Sequence, residues 1–317
     1  MTGRPALDAE LAELLSALPE FPPLSAEALP LMRPYASSAI EPLLETRDVA
    51  RREEVIASSD GAQLPVTIIS PALSSTPAPG VLWLHGGGMV MGDRFSQLDI
   101  PLDWVDALGA VVVTVDYRLA PEASGTTLVE DGYAALLWLA EHADELGVDR
   151  NRIVVAGTSA GGGVAAGVTL LARDRGNPDI AAQILICPML DHRNNTTSAQ
   201  QFTAPGVWSQ ESNAFAWGAV IGDGGTDVSP YVSPSLAPDL CGLPPTYIDA
   251  GSAEVFRDED VDYALRIWAA GGTAELHVWS GGFHGFDVLY PAAQLSRAAR
   301  ATRTAWLRKT LAEQRSC

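Results

Sequence analysis

The sequence predicts an α/β fold built on a mostly parallel sheet, and three observations predict it. Short, unbroken β-branched runs recur along the chain, helical stretches separate them, and two glycine-rich turns directly follow such runs. A strand covered by helices on both faces reads as a continuous apolar run rather than an alternating one.

Residues 1–50 come first and do not fit that alternation. They read as helical pieces broken by Pro19, Pro22, Pro23, Pro30 and Pro34, an appendage to the main fold. Strands are then expected at Val66–Ile69, Val81–Leu84, Val111–Val115, Ile153–Ala156, Ile184–Ile186, Thr246–Ile248 and Leu276–Trp279. Between them, apolar spacing predicts helices over 128–146 (ending at Gly147), 159–173, 255–270 and 292–314. The small residues of the second suit tight packing on a sheet. His192 to Asp227 breaks the pattern as an insertion carrying Phe202, Trp208, Phe215 and Trp217. A structureless loop of that length is rare, so helices over a site are expected there.

The 317 residues are 47% apolar and carry a net charge of −19, which describes a globular chain that phosphate would repel. Nucleic acid and anionic membranes are therefore not expected as partners. Cys187, Cys241 and Cys317 are widely spaced, odd in number and without metal-ligand spacing, which suits a reducing compartment and no metal. The first twenty residues carry Asp8, Glu10 and Glu13 and lack the pattern of a secretory leader. No apolar run approaches the ~18 residues that span a bilayer. A cytoplasmic location is expected.

Two motifs carry chemistry. Gly157-Thr158-Ser159-Ala160-Gly161 links a strand to a helix. A turn that sharp exposes the serine hydroxyl and leaves no room for side chains two positions either way. His85-Gly86-Gly87-Gly88 follows another strand, and its glycines free backbone N–H groups to face a cavity. Gly87 and Gly88, with Ala160, are expected to bind an oxyanion, while His85 shapes the loop.

Several further motifs join these two in order. They are HGGGMVMGD at 85–93, DYRLAPE at 116–122, GTSAGG at 157–162, Ser229-Pro230-Tyr231, Leu243-Pro244-Pro245, FRDED at 256–260 and GFHGF at 282–286. From about residue 50 to the C-terminus the chain resembles the bacterial hormone-sensitive-lipase-like esterases of the α/β-hydrolase fold. The resemblance implies an eight-stranded sheet, hydrolysis of short- to medium-chain acyl esters and no cofactor. It also implies a helical cap made of residues 1–50 and 192–227, over a catalytic core of 51–191 and 228–317.

In this fold the triad runs serine, acid, histidine. Of five histidines, His284 follows the last strand on a Gly281-Gly282 loop that reaches back over the sheet. His192, near the sheet's active edge, is its competitor; His142 and His277 read as structural. The acid should follow the Thr246–Ala250 strand: Asp249 ends the strand and is not expected to turn toward the site, Asp258, Glu259 and Asp260 open a helix, and Glu254 lies on the loop itself, with Asp258 next. The resemblance places an aspartate where this chain has Glu254, and either carboxylate can orient an imidazole. Ser159 would attack an ester, with His284 as base and Glu254 fixing its tautomer. Met89 and Trp208 are the favoured substrate contacts; Phe215, Trp217, Phe283 and Phe286 serve equally as core. Asp116, Arg118 and Glu122 read as a structural ion-pair cluster. Acyl transfer, lactone or amide cleavage on the same triad, and a non-catalytic small-molecule receptor, stay open as alternatives. A homodimer through the edge strand near Leu276–Trp279 is compatible with the pattern.

Overall fold

The computed structural model describes residues 3–18, 23–37, 39–73, 77–203, 206–222 and 227–313. Eight strands form one sheet: β1 (Val49–Ala57), β2 (Gln63–Pro71), β3 (Ala78–Leu84), β4 (Val111–Val115), β5 (Val148–Thr158), β6 (Ala182–Ile186), β7 (Thr246–Ala253) and β8 (Ala274–Phe283). Their order is β1-β2-β4-β3-β5-β6-β7-β8. β2 alone is reversed, antiparallel to both β1 and β4, and the remaining pairs are parallel, so β3 to β8 all end on the same edge.

The apolar runs are continuous because each face of the sheet has its own core. Val111, Val113 and Val115 of β4 enter one cluster and Val112 the other; β5 divides Ile153 and Val155 from Val154 and Ala156 in the same way. Each such aliphatic side chain, once buried, contributes about 1.5–3 kcal/mol. Helices Thr127–Glu141, Ala160–Arg175 and Arg257–Ala269 cover the first face; Asp99–Leu108 and Gln294–Glu313 cover the second.

All seven expected strands are present, and the eighth is β1. The helix expected over 128–146 is two, Thr127–Glu141 and Ala143–Leu146, parted at His142, whose φ of −98° and ψ of 12° interrupt the helical path. The Asp99–Leu108 helix adds an element that the apolar spacing had not suggested. The last helix ends at Glu313, and residue 314, like Cys317, lies outside the described residues.

The two segments that break the alternation are helical. The first fifty residues carry Ala9–Ser16, Leu29–Ala36 and Glu41–Leu44, with Pro19 and Pro22 outside the described residues; the insertion carries Thr197–Gln201 and Gln210–Ile221. They touch each other. Leu24 N–H donates to Ser212 Oγ at 3.1 Å, Arg4 Nε to Gln201 O at 2.5 Å, and Gln201 Nε2 to Gly3 O at 2.6 Å. Among the described residues no helix is long and apolar enough to cross a membrane.

Candidate active site

Five strands deliver loops to one edge of the sheet: β3 leads to His85, β5 to Ser159, β6 to Cys187, β7 to Glu254 and β8 to His284. Ser159 sits at φ 56°, ψ −122°, a region costly for an L-residue by about 1–3 kcal/mol. The surroundings hold it there, with its N–H donating to Ile186 O at 2.7 Å. A Cβ on Gly157 would lie 2.2 Å from Gly161 O, and one on Gly161 would lie 2.1 Å from Leu84 O. Both glycines are sterically required, as the motif implied.

Ser159 Oγ lies 2.9 Å from His284 Nε2, and His284 Nδ1 lies 2.6 Å from Glu254 Oε2. Glu254 Oε1 accepts Gly251 N–H at 2.7 Å. A carboxylate can only accept, so Nδ1 carries the proton and Nε2 turns its lone pair to the serine. Glu254 is 1% exposed and His284 8%. Phe256 meets the imidazole edge-on at 5.1 Å between ring centres, and Trp208 stands 6.3 Å away on another side.

The competing residues are engaged elsewhere. Asp258 accepts Ser198 N–H at 2.7 Å and pairs with Arg257; Asp249 pairs with Arg303 at 2.8 Å. His192 bonds Ser233 Oγ at 3.1 Å. Asp116, Arg118 and Glu122 hold ion pairs, though not with one another: their partners are Arg94, then Asp60 and Asp131, then Arg33. A hollow of about 330 Å³ beside Arg33, Arg118 and Glu122 lies away from the serine and holds no nucleophile.

Gly87 and Gly88 adopt φ of 121° and 64°, the left-handed region where glycine is favoured. A Cβ on Gly88 would fall 2.4 Å from the Trp208 ring, so the indole covers this loop. Among the described residues the N–H groups of Gly87 and Gly88 have no acceptor, nor does that of Ala160, the first residue of its helix. His85 is a strut: its ring stacks on Tyr117 at 4.3 Å, and Tyr117 Oη donates to His85 O at 2.6 Å. Burial holds its imidazole below the ordinary pKa, so it stays neutral.

A cavity of about 170 Å³ opens beside His284 and Glu254. Trp208 and Phe283 line it, and so do Arg4, Leu7, Leu15 and Phe202. Met89 does not; it is 2% exposed and packs in the core. Trp217 and Phe286 are likewise buried, and Phe215 packs half-buried against the core. The contribution of Arg4 and Leu7 was not legible in the sequence, where this stretch showed only a helical pattern. Cys187 was also unforeseen: its sulfur, with Glu254 and His284, forms a group whose ligand atoms lie within 4.8 Å of one another. Burial, then the Glu254 charge, pushes its pKa well up and keeps it a neutral thiol, a poor metal ligand.

Residues 81–288 match the family described as alpha/beta hydrolase fold. The chain is 38% identical over 221 residues to the Esterase LipI of Mycobacterium tuberculosis, covering 68% of this chain and 69% of that protein. It is 35% identical over 254 residues to the Carboxylesterase NlhH of the same organism, covering 77% and 78%. Its fold superimposes on a solved structure titled Bacterial Heroin Esterase with a TM-score of 0.88 and 36% identity, over 96% of this chain and 98% of the other.

Proposed function

This chain belongs to the alpha/beta hydrolase fold family, within its hormone-sensitive-lipase-like esterases, and is a serine carboxylic-ester hydrolase; on that premise we propose that Ser159, His284 and Glu254 are its catalytic triad. The bonded sequence Ser159–His284–Glu254, together with three nearby loop and helix-start N–H groups that have no acceptor among the described residues, supports this reading.

The chemistry follows from the geometry. His284 Nε2 takes the hydroxyl proton as Ser159 Oγ attacks the ester carbonyl carbon. The carbonyl oxygen becomes an oxyanion and receives hydrogen bonds from Gly87, Gly88 and Ala160; each such donor is worth about 100- to 1,000-fold in rate. Glu254 steadies the imidazolium without taking its proton. His284 then protonates the departing alcohol, leaving an acyl group on Ser159, and a water deprotonated by His284 releases the acid. No cofactor enters this cycle.

The finer parts of the reading rest on shape and charge. Residues 1–50 and 192–227 act as a cap: Leu24 and Arg4 of the first segment bond to Ser212 and Gln201 of the second, and both segments line the cavity beside His284. Short- to medium-chain acyl esters, the class that the resemblance to hormone-sensitive-lipase-like esterases implies, are the proposed substrates. The charge of −19 favours a small ester over nucleic acid, free Cys187 and Cys241 suit a reducing cytoplasm, and β8, at the sheet's edge, offers a pairing surface for a homodimer.

A chain-length series of chromogenic acyl esters tests the assignment, run on the native protein and on Ser159→Ala. The native enzyme should prefer short to medium chains. The variant should lose about 10⁶-fold in kcat with its circular dichroism unchanged. Full activity in Ser159→Ala would sink the triad.

A further inference from the structure

The cavity beside His284 has a chemical side. His284 hands its proton to the departing alcohol oxygen, so the alcohol half of an ester lies where the imidazole is open. The cavity meets His284, Trp208 and Phe283 and touches neither Ser159 nor the Gly87–Gly88 loop. It is therefore placed for the alcohol half rather than the acyl half. This step rests on the triad proposed above.

Leu7, Phe202, Trp208 and Phe283 make much of its wall apolar, and one cation lines it, Arg4. Two contacts hold that guanidinium and a third holds its neighbour. Nε donates to Gln201 O at 2.5 Å, the group lies over the Phe202 ring at 5.4 Å, and Gln201 Nε2 holds the neighbouring Gly3 O at 2.6 Å. Arg4 has no ion pair to any described carboxylate, in a chain with 39 acidic residues. Arg257 reaches the same glutamine, at 3.1 Å from Gln201 Oε1, but is already paired with Asp258. Glu254 also borders the cavity, with both oxygens taken by His284 and Gly251.

A largely apolar cavity lined by one guanidinium that has no ion pair among the described residues suits one kind of ligand. We infer that the enzyme favours esters whose alcohol half is apolar and ends in a carboxylate, such as O-acyl hydroxyarenecarboxylates, with Arg4 binding the anionic end. The planar fork of arginine donates two parallel hydrogen bonds to a carboxylate, which a neutral end group cannot accept equally.

The experiment compares 4-acetoxybenzoate and 3-acetoxybenzoate with their neutral amides, 4-acetoxybenzamide and 3-acetoxybenzamide, and with phenyl acetate. The readout is the ratio of kcat/KM for anion over amide, in which leaving-group differences cancel between variants. Arg4→Gln keeps a donor for Gln201 O while removing the charge. In that variant the ratio should fall about tenfold for at least one positional isomer (about 1.4 kcal/mol), mainly through KM. Arg4→Lys should lie between, and rising salt should lower the native ratio but not that of Arg4→Gln. A ratio unmoved by Arg4→Gln, with phenyl acetate turned over, overturns this inference alone. If the native protein turns over none of the esters, the triad assignment fails and this inference with it.

Discussion

At the scale of single residues, the proposed triad depends most on Glu254. Its two oxygens divide their tasks: one fixes the backbone at Gly251, the other fixes the Nδ1 proton of His284. Glu254→Gln keeps the length but presents an amide donor to Nδ1, and the imidazole then turns its N–H toward Ser159. A loss of about 10⁴-fold in kcat with little change in KM is expected, by analogy with the orienting acid of other triads. Glu254→Asp keeps the charge but is a methylene short of holding both partners. Misplacement on that scale costs about 100-fold. Steady-state kinetics on a chromogenic acetate separates the two variants, and equal losses would mean that reach rather than tautomer governs. Much of this site was legible because its steric demands leave marks in sequence. Gly157 and Gly161 are glycines since any Cβ there meets a carbonyl, and the order serine, acid, histidine narrowed the rest. Arg4 left no such mark, because its role depends on a meeting with Gln201 and Phe202, nearly two hundred positions away.

At the scale of elements, legibility followed burial. β3 to β6 have both faces covered and were readable as apolar runs. β1 (VARREEVIA) is largely exposed, and it exists through its pairing with β2 from Val49–Pro71 to Ala57–Gln63, which composition does not reveal. In the Asp99–Leu108 helix, Pro101 masks the pattern, yet it stands in the first turn, where no N–H is needed. Beneath the triad, elements distant in sequence are joined by one buried cation. Arg303 of the last helix pairs with Asp249 of β7 at 2.8 Å and with Asp287, just past His284, at 3.0 Å. Burial opposes its charge, but the two carboxylates prevail and raise its pKa. Arg303→Met would strand two buried carboxylates, at a cost of about 3–5 kcal/mol. Adding Asp249→Asn and Asp287→Asn should recover most of that loss. Urea midpoints report both, and a single variant costing under about 1 kcal/mol would show the network to be dispensable.

At the scale of the whole molecule, the proposed division sets a core of residues 51–191 and 228–317, whose strands position the chemistry, against a cap of the first fifty residues and the insertion. The helical character of those two segments was readable as a failure of strand–helix alternation; what they touch was not, since it depends on tertiary contact. The Ala9–Ser16 helix shows the consequence. Eight residues cannot sustain a helix alone. This one is held by Leu11, fully buried against Phe283, Phe286 and Ala293, and by three bonds: Asp8 N–H to Gly281 O, Tyr290 Oη to Leu14 O, and Gln294 N–H to Glu10. Leu11→Ala removes packing worth about 2–5 kcal/mol, comparable to all that local attachment. The helix should therefore loosen while the sheet stays folded, and the cavity wall at Leu7 and Leu15 should loosen with it. Hydrogen exchange should accelerate within residues 3–18 and not in β3–β6. KM should rise for esters with bulky alcohol halves, with kcat for a small acetate ester largely retained. Acceleration spread evenly through β3–β6 would instead show that this segment belongs to the core's own folding unit, and that closure over the site is not separable from the fold.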